Sequence, residues 1–128
     1  MTGSPPFTET EQQLLARLQQ APESVHVTDV LAVIEAGYEY VPTTFTNGAG
    51  PQQLVNPAGT NEVSCRLFAF AALHRLPAAQ TLACFGHYYR DDVLADPDGQ
   101  NHGNIRAFMR HGWDALHFEG DALRPRQR

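Results

Sequence analysis

A chain of 128 residues with 42% apolar and 18% charged side chains fits one globular domain, long enough to bury roughly two-thirds of its unfolded surface without a disulfide or a metal. Its net charge is −5 and all nine basic residues are arginine, so no basic face is evident that could release counterions from a polyanion, and nucleic acid is excluded as an expected partner. No apolar run approaches the ~20 residues of a membrane span. The opening MTGSPPFTETEQQ also lacks the basic and apolar regions of a Sec-type signal, which makes the cytoplasm the expected address.

In chain order, residues 1–8 read as a flexible lead. Leu14, Leu15 and Leu18 have helical spacing, and Pro22 stops that helix. Thr28 or Asp29 is placed to cap a second helix that buries Val30, Leu31, Val33 and Ile34 and ends at Gly37. YEYVPTTFTNG reads as extended chain closing on the turn pair Asn47-Gly48, followed by a long loop to Asn61. Residues 64–75, SCRLFAFAALHR, are apolar around the whole helical circumference, with Leu73 on a third side, and so mark the central helix. Pro77 suits the first turn of the next helix. That helix meets Gly86 and either continues or restarts through HYYRDDVL. A last amphipathic helix spans 102–113, and 116–120 is placed to pair with 43–47 as a small two-stranded element. The expected fold is mostly α, α+β at most. It comprises a single domain over 9–120 and an Arg-rich tail over 121–128.

The ionisable residues of 84–92, CFGHYYRDD, separate by helical phase. Cys84, His87 and Asp91 share the face opposite Leu82, Phe85, Tyr89 and Val93. They resemble a thiol–imidazole–carboxylate set but lack the walled pocket and oxyanion site that nucleophilic catalysis needs, so they are expected to face water. Asp92 falls inside the apolar arc beside Tyr88 and Tyr89. On the last helix His102 lies in the arc defined by Ile105, Phe108, Met109 and Trp113, with Arg106 at its edge. Buried charges must pair, so Asp92 is expected to meet Arg106 or His102. The plainest role for such a pair is to fix helix registry. The functional alternative is a pocket of Tyr88, Tyr89, Asp92, His102 and Arg106, joined by Glu62, suited to proton transfer or to a small polar ligand. Glu62 equally suits a first helical turn, where it complements the helix dipole. Cys65 and Cys84 read as reduced thiols. The residue pattern assigns no metal ligands and no cofactor.

Several strings carry a family resemblance. They are Thr28-Asp29-Val30, Tyr40-x-Pro42-Thr43-x-Phe45-x-Asn47-Gly48, Asn61-Glu62-x-Ser64-Cys65-x-x-Phe68-x-Phe70-Ala71 and Gln80-Thr81-Leu82-x-Cys84-Phe85-Gly86-x-Tyr88-Tyr89-Arg90-x-Asp92. To these is added Pro97-x-Gly99-x-x-His102-x-Asn104-Ile105-Arg106-x-Phe108-Met109-x-x-Gly112-Trp113. Together they resemble the HopJ (HopPmaJ) type III effector family over about residues 24–118. Arg66 and Pro77 depart from its pattern. The resemblance implies a small α-rich domain, delivery into a host cell by type III secretion, and action by binding a host protein or a small ligand. It brings no catalytic residue. A resident cytoplasmic protein that binds or transforms a small molecule through the inward cluster is the alternative reading.

Overall fold

In the computed structural model, which describes residues 9–126, the chain opens with helix α1 (Glu11–Gln20). Thr10 and Gln13 cap it reciprocally, each side chain accepting from the other's main-chain N–H, and Leu14 and Leu18 are fully buried. The flexible lead expected over 1–8 lies outside the described residues. Helix α2 (Val27–Gly37) begins earlier than the expected cap at Thr28 or Asp29. His26 is the capping residue, and the Asp29 carboxylate reaches back to accept from the His26 N–H at 3.0 Å.

Strand β1 (Tyr38–Tyr40) follows directly, then β2 (Phe45–Asn47) and β3 (Leu54–Asn56). The segment expected to be a long loop therefore contains a strand, with Phe45 opposite Asn56 in an antiparallel pair. After helices α3 (Glu62–Leu73), α4 (Ala78–Ala83) and α5 (Gly103–His111), strand β4 (Leu116–Phe118) pairs with the other edge of β2. The expected pairing of 43–47 with 116–120 is present as β2 with β4, but in a three-stranded sheet, β3–β2–β4, with β2 at its centre rather than a two-stranded element. The expected tail also folds in part. Strand β5 (Leu123–Pro125) pairs antiparallel with β1, with Leu123 opposite Tyr40.

Helix α3 occupies the centre, as its all-round apolar character requires. The Phe68 ring meets Phe85 at 5.0 Å, Phe108 at 5.2 Å and Phe45 at 6.1 Å between centroids, so one side chain ties three other elements together. Leu73 departs from this and is half-exposed where α3 reaches the surface. Trp113 lies beyond α5 in a short 3₁₀ turn rather than in the helix, and its indole N–H donates to the Leu76 carbonyl at 2.9 Å.

Gly86 settles whether the helix after Pro77 continues. Its φ of +57° is a conformation side chains resist, and a Cβ there would lie 2.8 Å from the Val27 main-chain nitrogen. The chain breaks at Gly86 and restarts as a π-helical turn, Tyr88–Val93, closed by bonds such as Leu94 N–H to the Tyr89 carbonyl at 3.0 Å. The break rotates everything after it relative to α4.

Candidate functional site

That rotation redistributes the ionisable groups of 84–92. Cys84, expected to face water, is fully buried at the C-terminal end of α4, and burial pushes its thiol up to about 12. His87 and Asp91 remain exposed, so the trio is split and forms no thiol–imidazole pair. Asp92 is not in the core either. Its side chain is 40% exposed, and Oδ2 stands 3.0 Å from His102 Nε2.

His102 is not a mid-arc residue of α5 but its N-cap, at φ 54° and ψ 51°. A left-handed backbone costs a residue with a Cβ roughly 1–2 kcal/mol, although His and Asn tolerate it better than most. Asn61, the N-cap of α3, adopts nearly the same conformation, φ 49° and ψ 47°. No side chain caps either helix, so two positive helix ends retain first-turn N–H groups without side-chain partners.

These two helix ends converge. A cleft of about 420 Å³ opens between them, walled by residues 61–64 of α3 and 102–105 of α5 and closed by Phe85 and Tyr88. The Tyr88 ring lies 5.1 Å from His102 and 4.4 Å from His87 between centroids. Glu62, Tyr88 and His102 thus share one concave surface, with Asp92 behind the imidazole. The Nε2 contact with Asp92 leaves His102 Nδ1 without a hydrogen-bond partner among the described residues.

Two expected members lie elsewhere. Tyr89 packs against the core and does not line the cleft. Arg106 is 7% exposed and makes no ion pair with Asp92, contrary to one of the two expected pairings. Its guanidinium instead holds the loop before α5, donating to the carbonyls of Asp96 at 2.8 Å and Asn101 at 2.6 Å and to the Asn101 side chain at 2.7 Å. That loop leads into His102, so Arg106 positions the site from behind. Met109, expected in the buried arc, is 44% exposed.

Sequence reasoning missed a buried amide network. Asn104 Oδ1 accepts from Asn47 Nδ2 and Asn56 Nδ2, both at 3.1 Å, and Asn104 Nδ2 donates to Asn56 Oδ1 at 2.8 Å. Asn61 Nδ2 also donates to Asn56 Oδ1, at 2.7 Å. The chain Asn104–Asn56–Asn61 therefore ties the two cleft walls together through β3. A usable signal was present, since Asn104 lies one helical turn before Phe108 and so faces the core.

A second cleft, of about 440 Å³, lies among α1, α2 and β1. Its carboxylates are engaged. Glu11 accepts from the Tyr38 hydroxyl at 2.5 Å and lies 3.2 Å from His74, while Glu9 pairs with Arg17. Among the described residues no three His, Cys, Asp or Glu side chains gather as a metal-ligand set, and no helix is long and apolar enough to cross a membrane.

Comparison with known proteins gives two matches. The family model described as HopJ type III effector protein matches residues 11–123. The crystal structure of VPA0580, a protein of unknown function, superposes with a TM-score of 0.89 at 41% identity, covering 96% of this chain and 99% of that one. No curated protein matches the chain.

Proposed function

The chain belongs to the HopJ type III effector family, and from that premise we propose that it is a small-ligand-binding protein whose site is the cleft between α3 and α5. One observation carries this reading. The His102–Asp92 pair, at 3.0 Å, borders a concave space of about 420 Å³ between two helix ends that no side chain caps. A pair serving registry alone would pack inside the core, whereas Asp92 and His102 keep 40% and 27% of their side-chain surface in contact with solvent. Convergent polar groups over an apolar floor, here Phe85 and Ile105, are what orients a small polar ligand.

The test is a thermal-shift screen of a metabolite library against the wild type, Asp92→Asn and His102→Ala. Compounds that raise the melting temperature of the wild type should lose that effect in both variants, each shift being read against that variant's own ligand-free melting temperature. Ligand shifts unchanged in both variants, or no shift from any compound, overturn the reading. The family name adds delivery into a host cell by type III secretion, so that the ligand is met there. A reporter fused to residues 1–25 should be exported only by cells with a working secretion apparatus; export that ignores the apparatus, or no export, removes that part.

A further inference from the structure

The two walls of the cleft differ in charge. Glu62, in the first turn of α3, has no ion-pair partner among the described residues. Its natural helical partner four residues on is Arg66. That guanidinium makes no ion pair with Glu62 among the described residues and sits 4.2 Å above the centre of the Tyr40 ring. The Tyr40 hydroxyl is buried beside the Glu62 carboxylate. Burial raises the Tyr40 pKa above the ordinary phenol value, and the neighbouring Glu62 carboxylate raises it further. A partly buried carboxylate that lines the cleft and makes no ion pair among the described residues is a place for a ligand cation to bind.

The opposite wall presents the reverse. A protonated imidazole donates from both ring nitrogens. In that form His102 would give Nε2–H to Asp92 and have Nδ1–H left for an anion. Both helix ends present free first-turn N–H groups, but the α3 end carries its own carboxylate, Glu62, and the α5 end carries none, so the α5 wall is the one that favours an anion. A ligand carrying only a carboxylate would set a second negative charge near Glu62, and one carrying only an amine would leave the His102 wall unmatched. Resting on the ligand-binding reading above, we propose that the cleft selects a small zwitterion, a free α-amino acid or like amino-carboxylate, with its ammonium against Glu62 and its carboxylate against His102. At about 420 Å³ the space is toward the small end for ligand sites and suits a molecule of that size, its side chain lying on Phe85 and Ile105.

Calorimetric titration of the full chain with four matched probe sets tests this: free amino acids, their N-acetyl derivatives, their amides, and dipeptides. Free amino acids should bind at least about tenfold more tightly than the other three. Glu62→Gln should bring them down to the level of the N-acetyl compounds without weakening the latter. N-acetyl derivatives binding as well as free amino acids would overturn the zwitterion and leave an anion site. Dipeptides binding as well would overturn it in favour of a peptide terminus. If no probe binds, the zwitterion falls, while the metabolite screen still decides whether the cleft binds anything. The probe comparison on the wild type stands even if Glu62→Gln fails to fold.

Discussion

Asn104 should be worth more to this fold than an asparagine in the first turn of a helix ordinarily is. Its side chain makes three hydrogen bonds inside the protein, two accepted and one donated. In Asn104→Ala none of the partners is wholly orphaned. Asn47 Nδ2 keeps the Asn104 main-chain carbonyl at 2.8 Å, Asn56 Nδ2 keeps the Phe45 carbonyl at 3.3 Å, and Asn56 Oδ1 keeps Asn61. The loss is then the net value of three bonds, roughly 2–4 kcal/mol. Asn104→Asp is the sharper probe. It retains the acceptor, but turns an oxygen toward Asn56 Oδ1 where a donor stood 2.8 Å away, at a residue only 7% exposed. Such a carboxyl holds its proton above the ordinary range in the native state. The native state then binds more protons than the unfolded chain, so stability falls as pH rises from about 4, near the unfolded value. Urea unfolding followed by circular dichroism at about pH 4.5 and pH 7.5 measures both effects. The reasoning is refuted if N104A lies within about 0.5 kcal/mol of wild type, or if the N104D deficit shrinks as pH rises.

Arg106→Met should cost roughly 2–4 kcal/mol by releasing the loop carbonyls, and a double-mutant cycle with Asp92→Asn should give a coupling near zero. Coupling above about 1 kcal/mol would show that the two side chains do interact. Gly86→Ala should destabilise by more than about 2 kcal/mol, since left-handed strain adds to a Cβ 2.8 Å from the Val27 nitrogen. A neutral outcome in chemical denaturation would contradict the tight approach. Tyr38 and Tyr40 both keep their protons in the native state beyond the ordinary phenol value of 10.0, through burial first and through Glu11 and Glu62 second. Their contribution is fully present below that value and is lost as pH rises above it, because the unfolded chain ionises first. Phenolate absorbance and far-ultraviolet dichroism recorded together through an alkaline titration should show part of the tyrosine signal appearing only as the chain unfolds. Complete phenolate formation in a still-folded protein would reverse that assignment.

Periodicity made the central helix legible, because a segment apolar on every side has only one comfortable place. The pairing around Phe45–Asn47 was legible for a similar reason, since two short runs of alternating residues flank the helices and need edges to meet. Strands of three residues, such as Leu54–Asn56, carry too little alternation to stand out from a polar loop. The candidate site was only half legible. Helical phase at a uniform turn brought Asp92 and His102 together, yet it placed them inside and put Cys84 outside. Gly86 changed the phase between them, and the reason lies in a contact with Val27, remote in sequence. Arg106 read as a partner for charge because carbonyl groups leave no mark in a sequence.

The antiparallel match of Tyr38 with Pro125 joins a strand that follows the second helix to the C-terminal end of the described chain. Closing so large a loop is entropically slow, and among the described residues β1 has no other strand beside it. The docking of 123–125, fastened by the Arg126 N–H to the Gly37 carbonyl at 2.9 Å, should therefore come late in folding and open early. In hydrogen exchange the amides of this clasp should exchange well before those of α3, so that the molecule unbuttons from its C-terminal strand while the phenylalanine hub still holds.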